Sequence, residues 1–370
     1  MAKIKSSELV IKTISIIDHV GSKGGIDLYN DNLADGLEEN GVKVKVYSNY
    51  NSKYSKKYFA DNFINSLYSL LKLFYQYWRV LKYVNSDVII LHLFKPGLLD
   101  WWIAHLLLKK NSQIVYILHD GESLIRKSSH TGIFRKLHRT AKLVLVHNQF
   151  SYDFVKNKID DTPSKLRIIS HVSFENVISG ISKTNARNKL SLPLDRKLVL
   201  FFGMIKQSKG LDVLISAMKN IEADLVIAGR LRNHGFGNYQ KQINNLGLND
   251  SVHLYLDYIS NENREAYFQS ADIIVLPYKK IFHSGVLMLA LKYELPIVAS
   301  DITPFKEFTK DFKCLELFEM DSSANLNKVM LNILAKSEIK NQLIEQGRLK
   351  LAKDHNPKII AATILNYLSK

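Results

Sequence analysis

Residues 271–300 read ADIIVLPYKKIFHSGVLMLALKYELPIVAS. Ile273, Ile274, Val275 and Leu276 form an unbroken aliphatic run, the pattern of a strand buried on both faces of a parallel sheet. Pro277 ends it, and the loop Lys279–His283 leads to Ser284-Gly285 and an apolar helix, Val286 to Tyr293. Pro296 then opens a second buried strand, Ile297–Ala299. A helix start directly after a parallel strand presents free backbone N–H groups to an anion. Lys279, Lys280 and His283 lie beside that start. A plain strand-to-helix turn with solvated lysines accounts for the same residues equally well.

The alternation extends outward in both directions. Upstream come strand Lys197–Phe202, loop Gly203–Gly210 and helix Leu211–Asn220. Strands Asp224–Ala228 and Val252–Tyr255 follow, with helices Tyr239–Leu246 and Asn261–Ser270. Nearer the N-terminus, strand Thr13–His19 runs through a glycine-rich loop holding Gly24 and Gly25 into helix Leu28–Asn40, capped by Gly41, and then strand Val42–Ser48. That loop is neither a G-x-G-x-x-G fingerprint nor a Walker A sequence, but its glycines sit where a backbone can approach a ligand closely. Further strands read as Asp87–Leu93, Gln113–Leu118, Leu143–His147 and Arg167–Ile169. Between them and Lys197, residues 173–196 are polar and carry Pro193, as an interdomain connection would. The expected fold class is α/β: two tandem Rossmann-like domains facing across a cleft, residues 1–180 and 181–356, with a C-terminal helix, 357–370, returning to the first.

The 370 residues carry a formal charge of +16, spread over both halves. Such a field suits an anionic ligand, an anionic membrane surface or nucleic acid. No helix-turn-helix, zinc or RNA-binding motif is present, so nucleic acid is the weakest of the three. The single cysteine, Cys314, reads as a buried, inert thiol. The N-terminus lacks the apolar core of a signal peptide, and the most apolar stretch, Gly97–Leu108, is too short to span a bilayer, so a cytoplasmic protein is expected.

Two further features stand out. His119 follows the strand Gln113–Leu118, at the end of a parallel strand where open α/β sheets bind ligands, although a loop-solvating role explains it too. The stretch Lys53–Val84 sets six basic residues against one acid, Asp61, amid many aromatic rings. Ile64, Leu67, Leu71, Phe74, Trp78 and Leu81 recur in it at helical spacing, as in a core helix. The alternative is a basic-aromatic face resting on an anionic bilayer.

Four segments together resemble one family. They are GGIDLYNDNLADGLEENGVKVKV, FFGMIKQSKGLDVLI, ADIIVLPY with SGVLMLALKYELPIVASD, and HVSFEN with the connection after it. The chain resembles, over essentially its whole length, the retaining GT-B glycosyltransferases of family 4, which build bacterial polysaccharides from nucleotide sugars. The resemblance implies a nucleotide-sugar donor in the second domain and a lipid-linked or saccharide acceptor in the first. It implies that Lys206 and Lys209 meet the diphosphate, and that His119 contacts the transferred sugar. Donor contacts are further implied for Gly24, Gly25, Gly203, Tyr258, Ile259, His283, Ser284, Gly285 and Val286. Placed cations and helix N-termini suit a leaving nucleoside diphosphate, whose charge grows in the transition state. Neither a metal nor a cofactor is implied.

The chain departs from the family in three places. Met204 stands where many members have arginine, and Lys206 is expected to supply that charge. Alignment on Ala290 and Pro296 puts Ile281 and Leu289 where many members carry two glutamates, as in a subgroup with Ser-Gly-Val in this loop. Glu294 occupies a usual glycine position. A nucleotide-sugar epimerase of the same fold would need acid-base carboxylates facing the sugar, which the lost glutamates disfavour. A catalytically inactive binding partner is the remaining alternative.

Overall fold

The structure is a computed structural model that describes residues 11–19, 21, 25–59, 67–94, 96–110, 112–119, 128–158, 165–177, 180–232 and 235–370. The chain divides into two compact units, Met1–Phe174 with Asp354–Lys370, and Glu175–Lys353.

The first unit contains β1 (Thr13–Asp18), α1 (Ile26–Glu39), β2 (Lys43–Ser48), β3 (Ser55–Lys57), α2 (Leu67–Tyr83) and β4 (Val88–Leu93). It continues through α3 (Leu98–Leu108), β5 (Gln113–Leu118), α4 (Ser128–Thr140), β6 (Leu143–Val146), α5 (Gln149–Lys156) and β7 (Leu166–Ile168). The strands form one parallel sheet in the order β3-β2-β1-β4-β5-β6-β7. Every residue of β4 is buried, which is why its sequence is aliphatic without alternation.

The second unit contains α6 (Lys183–Lys189), β8 (Lys197–Phe202), α7 (Leu211–Ala217), β9 (Ala223–Ala228), α8 (Gly237–Asn245), β10 (Val252–Tyr255) and α9 (Asn261–Ser270). Then come β11 (Ile273–Leu276), α10 (Gly285–Lys292), β12 (Ile297–Ser300), α11 (Thr303–Thr309), β13 (Glu316–Phe318), α12 (Ser323–Ala335) and α13 (Ser337–Asp354). Its parallel sheet runs β10-β9-β8-β11-β12-β13. The strand order reverses between β1 and β4 in one sheet and between β8 and β11 in the other. Crevices for ligands open outside the carboxyl ends of strands at such points.

The tail helix α14 (Pro357–Ser369) packs on α1. A Cβ at Gly36 would lie 2.2 Å from the Pro357 carbonyl oxygen, so only glycine permits the approach. Asn40 Nδ2 donates to the Lys358 carbonyl at 3.0 Å, and Ser173 N–H to the His355 carbonyl at 2.8 Å.

Residues 173–196 are not a plain connection. They contain α6, which packs on α9. The buried Arg187 guanidinium donates to the carbonyls of Ser270, Pro193, Leu194 and Arg196 and pairs with Asp272 at 3.0 Å.

The phase of α2 also differs from the expectation. Leu73, Tyr77, Val80, Leu81 and the following Val84 face the core. Leu71 and Trp78, expected inside, are 59% and 55% exposed. Ile64 lies outside the described residues. Apolar side chains cover the helix nearly all round, so periodicity alone does not fix which face turns inward. Cys314 is buried. Among the described residues no helix is long and apolar enough to cross a membrane.

Candidate active site

At the β8–β11 edge of the second unit, the chain leaves β8 through Gly203 at φ 106° and reaches a 3-10 turn, Gln207–Lys209. Gly210, at φ 64°, ends that turn and sits against the Pro277 carbonyl, which a Cβ would approach to 1.9 Å. The turn therefore lies directly on the end of β11, and Lys279 N–H donates to the Ser208 carbonyl at 2.9 Å. Lys209 is half-buried, with Nζ 3.4 Å from the centroid of the buried Tyr278 ring. The ring face favours the ammonium. Burial and then the Lys206 charge oppose it and bring the lysine down to about 7. Lys279, by contrast, pairs with Asp212 at 2.9 Å and Asp321 at 3.1 Å.

Helix α10 begins at the same edge. Ser284 caps it, its hydroxyl accepting the Leu287 N–H at 3.2 Å. Val286 Cγ2 lies 3.2 Å from where a Gly203 Cβ would be. The loops after β8 and β9 pair through Ile205 and Leu231, and Arg232 donates to the Met204 sulfur at 3.5 Å. Gly229, at φ 145°, would place a Cβ 1.9 Å from the Gly203 carbonyl oxygen. Gly229→Ala should therefore destabilise the second unit by roughly 1–3 kcal/mol through a backbone conformation nearly confined to glycine, as a lower denaturant midpoint would show. An unchanged midpoint would mean that this loop relaxes freely.

At the β1–β4 edge of the first unit, Tyr29 of α1 is fully buried. Its ring is edge-on to His92, His119 and His171 and tilted against His147, at centroid distances of 4.9–5.5 Å. These histidines stand at or just beyond the ends of β4, β5, β6 and β7. His119 is 5% exposed, so it is no loop-solvating residue. Its ring stacks on Phe94 at 4.8 Å, and its Nε2 lies 2.6 Å from His92 Nδ1. Gly25, at φ 81°, precedes α1 with no atom of the described residues within 4 Å of its Cβ position, so its conformation favours glycine there.

Two family models match: Glycosyltransferase Family 4 over residues 23–171, and Glycosyl transferases group 1 over 182–350. The chain is a group 1/family 4-like GT-B glycosyltransferase. It is similar to an uncharacterised glycosyltransferase of Methanocaldococcus jannaschii, 22% identical over 88% of this chain and 89% of the relative. A GDP-mannose:glycolipid 4-beta-D-mannosyltransferase of Xanthomonas campestris is 26% identical over 27% of this chain and 29% of its own. Among solved structures, sucrose-phosphate synthase of Thermosynechococcus elongatus superposes with a TM-score of 0.76 at 17% identity, over 95% and 97% of the chains. Anabaena HepE in complex with UDP and glucose gives 0.73 at 16% identity, over 97% and 99%.

Within this glycosyltransferase, Lys206, Lys209, Gly203, His283, Ser284, Gly285 and Val286 all lie in the loops after β8 and β11 or at the α10 start. Tyr258, 54% exposed, and Ile259 follow β10. His119 and Gly25 belong to the first unit, while Gly24 lies outside the described residues. Sequence reasoning missed Arg232, whose only signal was Gly229-Arg230-Leu231-Arg232 directly after a buried strand. It also missed Tyr29, His92, His147 and His171, which meet through the fold alone. Glu294, at the usual glycine position, takes a left-handed φ of 57° and accepts from Arg348 Nε at 2.7 Å and Nη2 at 2.6 Å.

Proposed function

We propose that this glycosyltransferase moves a sugar from a nucleoside diphosphate donor to a lipid-linked or saccharide acceptor, with retention of anomeric configuration, in cell-surface polysaccharide synthesis. The observation that carries this reading is Lys209, held over Tyr278 beside the start of α10. A helix start and a fixed cation at a point of strand-order reversal together form a diphosphate seat. In this role Lys209, with Lys206 and Arg232, neutralises charge that develops on the leaving diphosphate. The backbone N–H groups of Gly285 and Val286 donate to it, and Gly203 leaves room for it. Tyr258 and Ile259 border the base, and His119 faces the sugar. The family names of the matches and the UDP and glucose of the Anabaena structure support a nucleotide-sugar donor. Incubation with a panel of nucleotide sugars and a short saccharide or lipid acceptor should give a product with the donor's anomeric configuration, read by NMR coupling constants. An inverted product would remove retention from the proposal, and release of the epimeric free sugar would replace transfer by epimerisation.

The acceptor reading gains from α2. Tyr68, Leu71, Tyr75 and Trp78 form an exposed row on it, flanked by the exposed Lys72, Arg79 and Lys82. Lys53, in contrast, is drawn to Asp35 and Glu38. The α2 face suits the anionic headgroups and upper acyl region of a bilayer. Each basic residue near such a surface contributes about 1 kcal/mol, so changing Lys72, Arg79 and Lys82 to Gln should weaken binding to anionic vesicles by about 10²-fold. Co-sedimentation measures it. Equal binding of the wild type to neutral and anionic vesicles would contradict a membrane role for this face.

A further inference from the structure

We infer that His92 is a positioning residue that fixes His119 as its Nδ1–H tautomer, and so sets which ring atom of His119 meets the sugar and whether it donates or accepts. The inference rests on the reading of His119 as the sugar-facing histidine. Its observations are independent of that reading.

The two rings lie 20° from parallel with centroids 4.9 Å apart, and His92 Nδ1 is 2.6 Å from His119 Nε2. At that separation one nitrogen donates and the other accepts. Burial pushes His92 down to about 3, so it is neutral at ordinary pH. A neutral His92 has two choices. If it accepts at Nδ1, its proton sits on Nε2, and that atom is buried with no hydrogen-bond partner among the described residues. An orphaned buried N–H is rarer and more costly than an orphaned lone pair. The proton therefore belongs on Nδ1, where it is donated to His119 Nε2. His119 then carries its own proton on Nδ1.

The surroundings hold this arrangement. His92 is within β4, in register with Ile117 of β5, so both backbones are fixed by the sheet. Phe94 stacks on His119, and Tyr29 lies nearly perpendicular to both rings. With Nε2 engaged by His92, the ring proton of His119 is on Nδ1, so that atom can only donate. It suits an acceptor oxygen such as a sugar hydroxyl, and it does not suit proton abstraction. His119 thus orients the sugar rather than serving as a base.

The test uses the full chain labelled with 15N at histidine. Two-bond 1H–15N correlation spectra of the ligand-free protein should show His119 with a bare Nε2 and a protonated Nδ1. In His92→Leu that single tautomer should give way to a mixture, and in His92→Asn, whose side-chain amide nitrogen lies near the original Nδ1, it should return. In steady-state assays His92→Leu should lower kcat by about 10–10²-fold, the scale of a small misplacement at a reacting centre, with His92→Asn recovering most of it. An Nε2–H tautomer in the wild type, or an unchanged tautomer in a folded His92→Leu, would overturn the inference. If instead His119→Ala retained full activity while the spectra held, the tautomer assignment would stand and the sugar-facing role of His119 would fall.

Discussion

Lys209→Ala should lower turnover by about 10²-fold or more, the scale of removing one group that stabilises transition-state charge. The lysine cannot be replaced by its neighbours, because Lys279 is drawn to two carboxylates and Lys206 is set by a different loop position. A pH effect should accompany the loss. In the free protein Lys209 is charged below about pH 7 and neutral above it. A nucleotide sugar, whose esterified diphosphate does not titrate in this range, favours the charged form. Binding above pH 7 must therefore take up a proton, and affinity should fall by up to about tenfold per pH unit until the pKa of the complex is reached. Calorimetry in buffers of different ionisation enthalpy detects that proton. In Lys209→Ala the slope between pH 7 and 9 should vanish. A folded variant with wild-type turnover would remove Lys209 from the reaction.

The largest effect on stability is expected at Arg187. Truncation to alanine strands four backbone carbonyls and leaves the buried Asp272 carboxylate with Lys183 and the Leu198 N–H but without its guanidinium partner, and losing one partner of a buried ion pair costs about 3–5 kcal/mol. Burial alone would raise Asp272, but the Lys183 hydrogen bond, the Leu198 N–H and the charges of Lys183 and Arg187 outweigh it and hold the carboxyl below its usual range. Asp272 therefore contributes stability at neutral pH that is lost as pH falls through that lowered pKa. In Arg187→Ala this loss should begin at higher pH. Urea denaturation at pH 7, and at steps from pH 5 down to pH 3, would show both effects. Arg187→Lys should recover little, because an ammonium cannot present the planar fork that reaches four carbonyls and a carboxylate. An Arg187→Ala midpoint equal to wild type would mean that residues 183–196 fold without this anchor.

These two sites differ in how far the sequence disclosed them. Lys209 was legible because Lys-Gly follows a buried strand at a sheet edge, although its position over Tyr278 was not. Arg187 lies in a polar segment with no strand pattern, and its partners are spread from Pro193 to Asp272, so only the folded chain reveals it as an anchor. The strands buried on both faces, such as Val88–Leu93 and Ile273–Leu276, read directly from composition. The three-residue edge strands Ser55–Lys57 and Glu316–Phe318 did not, because so short a run shows no pattern. Helix α2 was legible as a helix, but not in its orientation, since aromatic and aliphatic side chains occupy both its faces. The Tyr29 cluster was hidden for another reason. His92, His119, His147 and His171 each occur singly in sequence, and the parallel register alone brings them to one edge.

The central claim is that the β8–β11 edge of the second unit seats the diphosphate of a nucleotide sugar. Isothermal titration of the wild-type chain and of Lys209→Ala with UDP- and GDP-sugars tests it most directly. One site per chain is expected for at least one of these ligands, with affinity lost or greatly reduced in the folded Lys209→Ala variant. Absence of binding by every nucleotide sugar, or equal affinity in the two proteins, would contradict it.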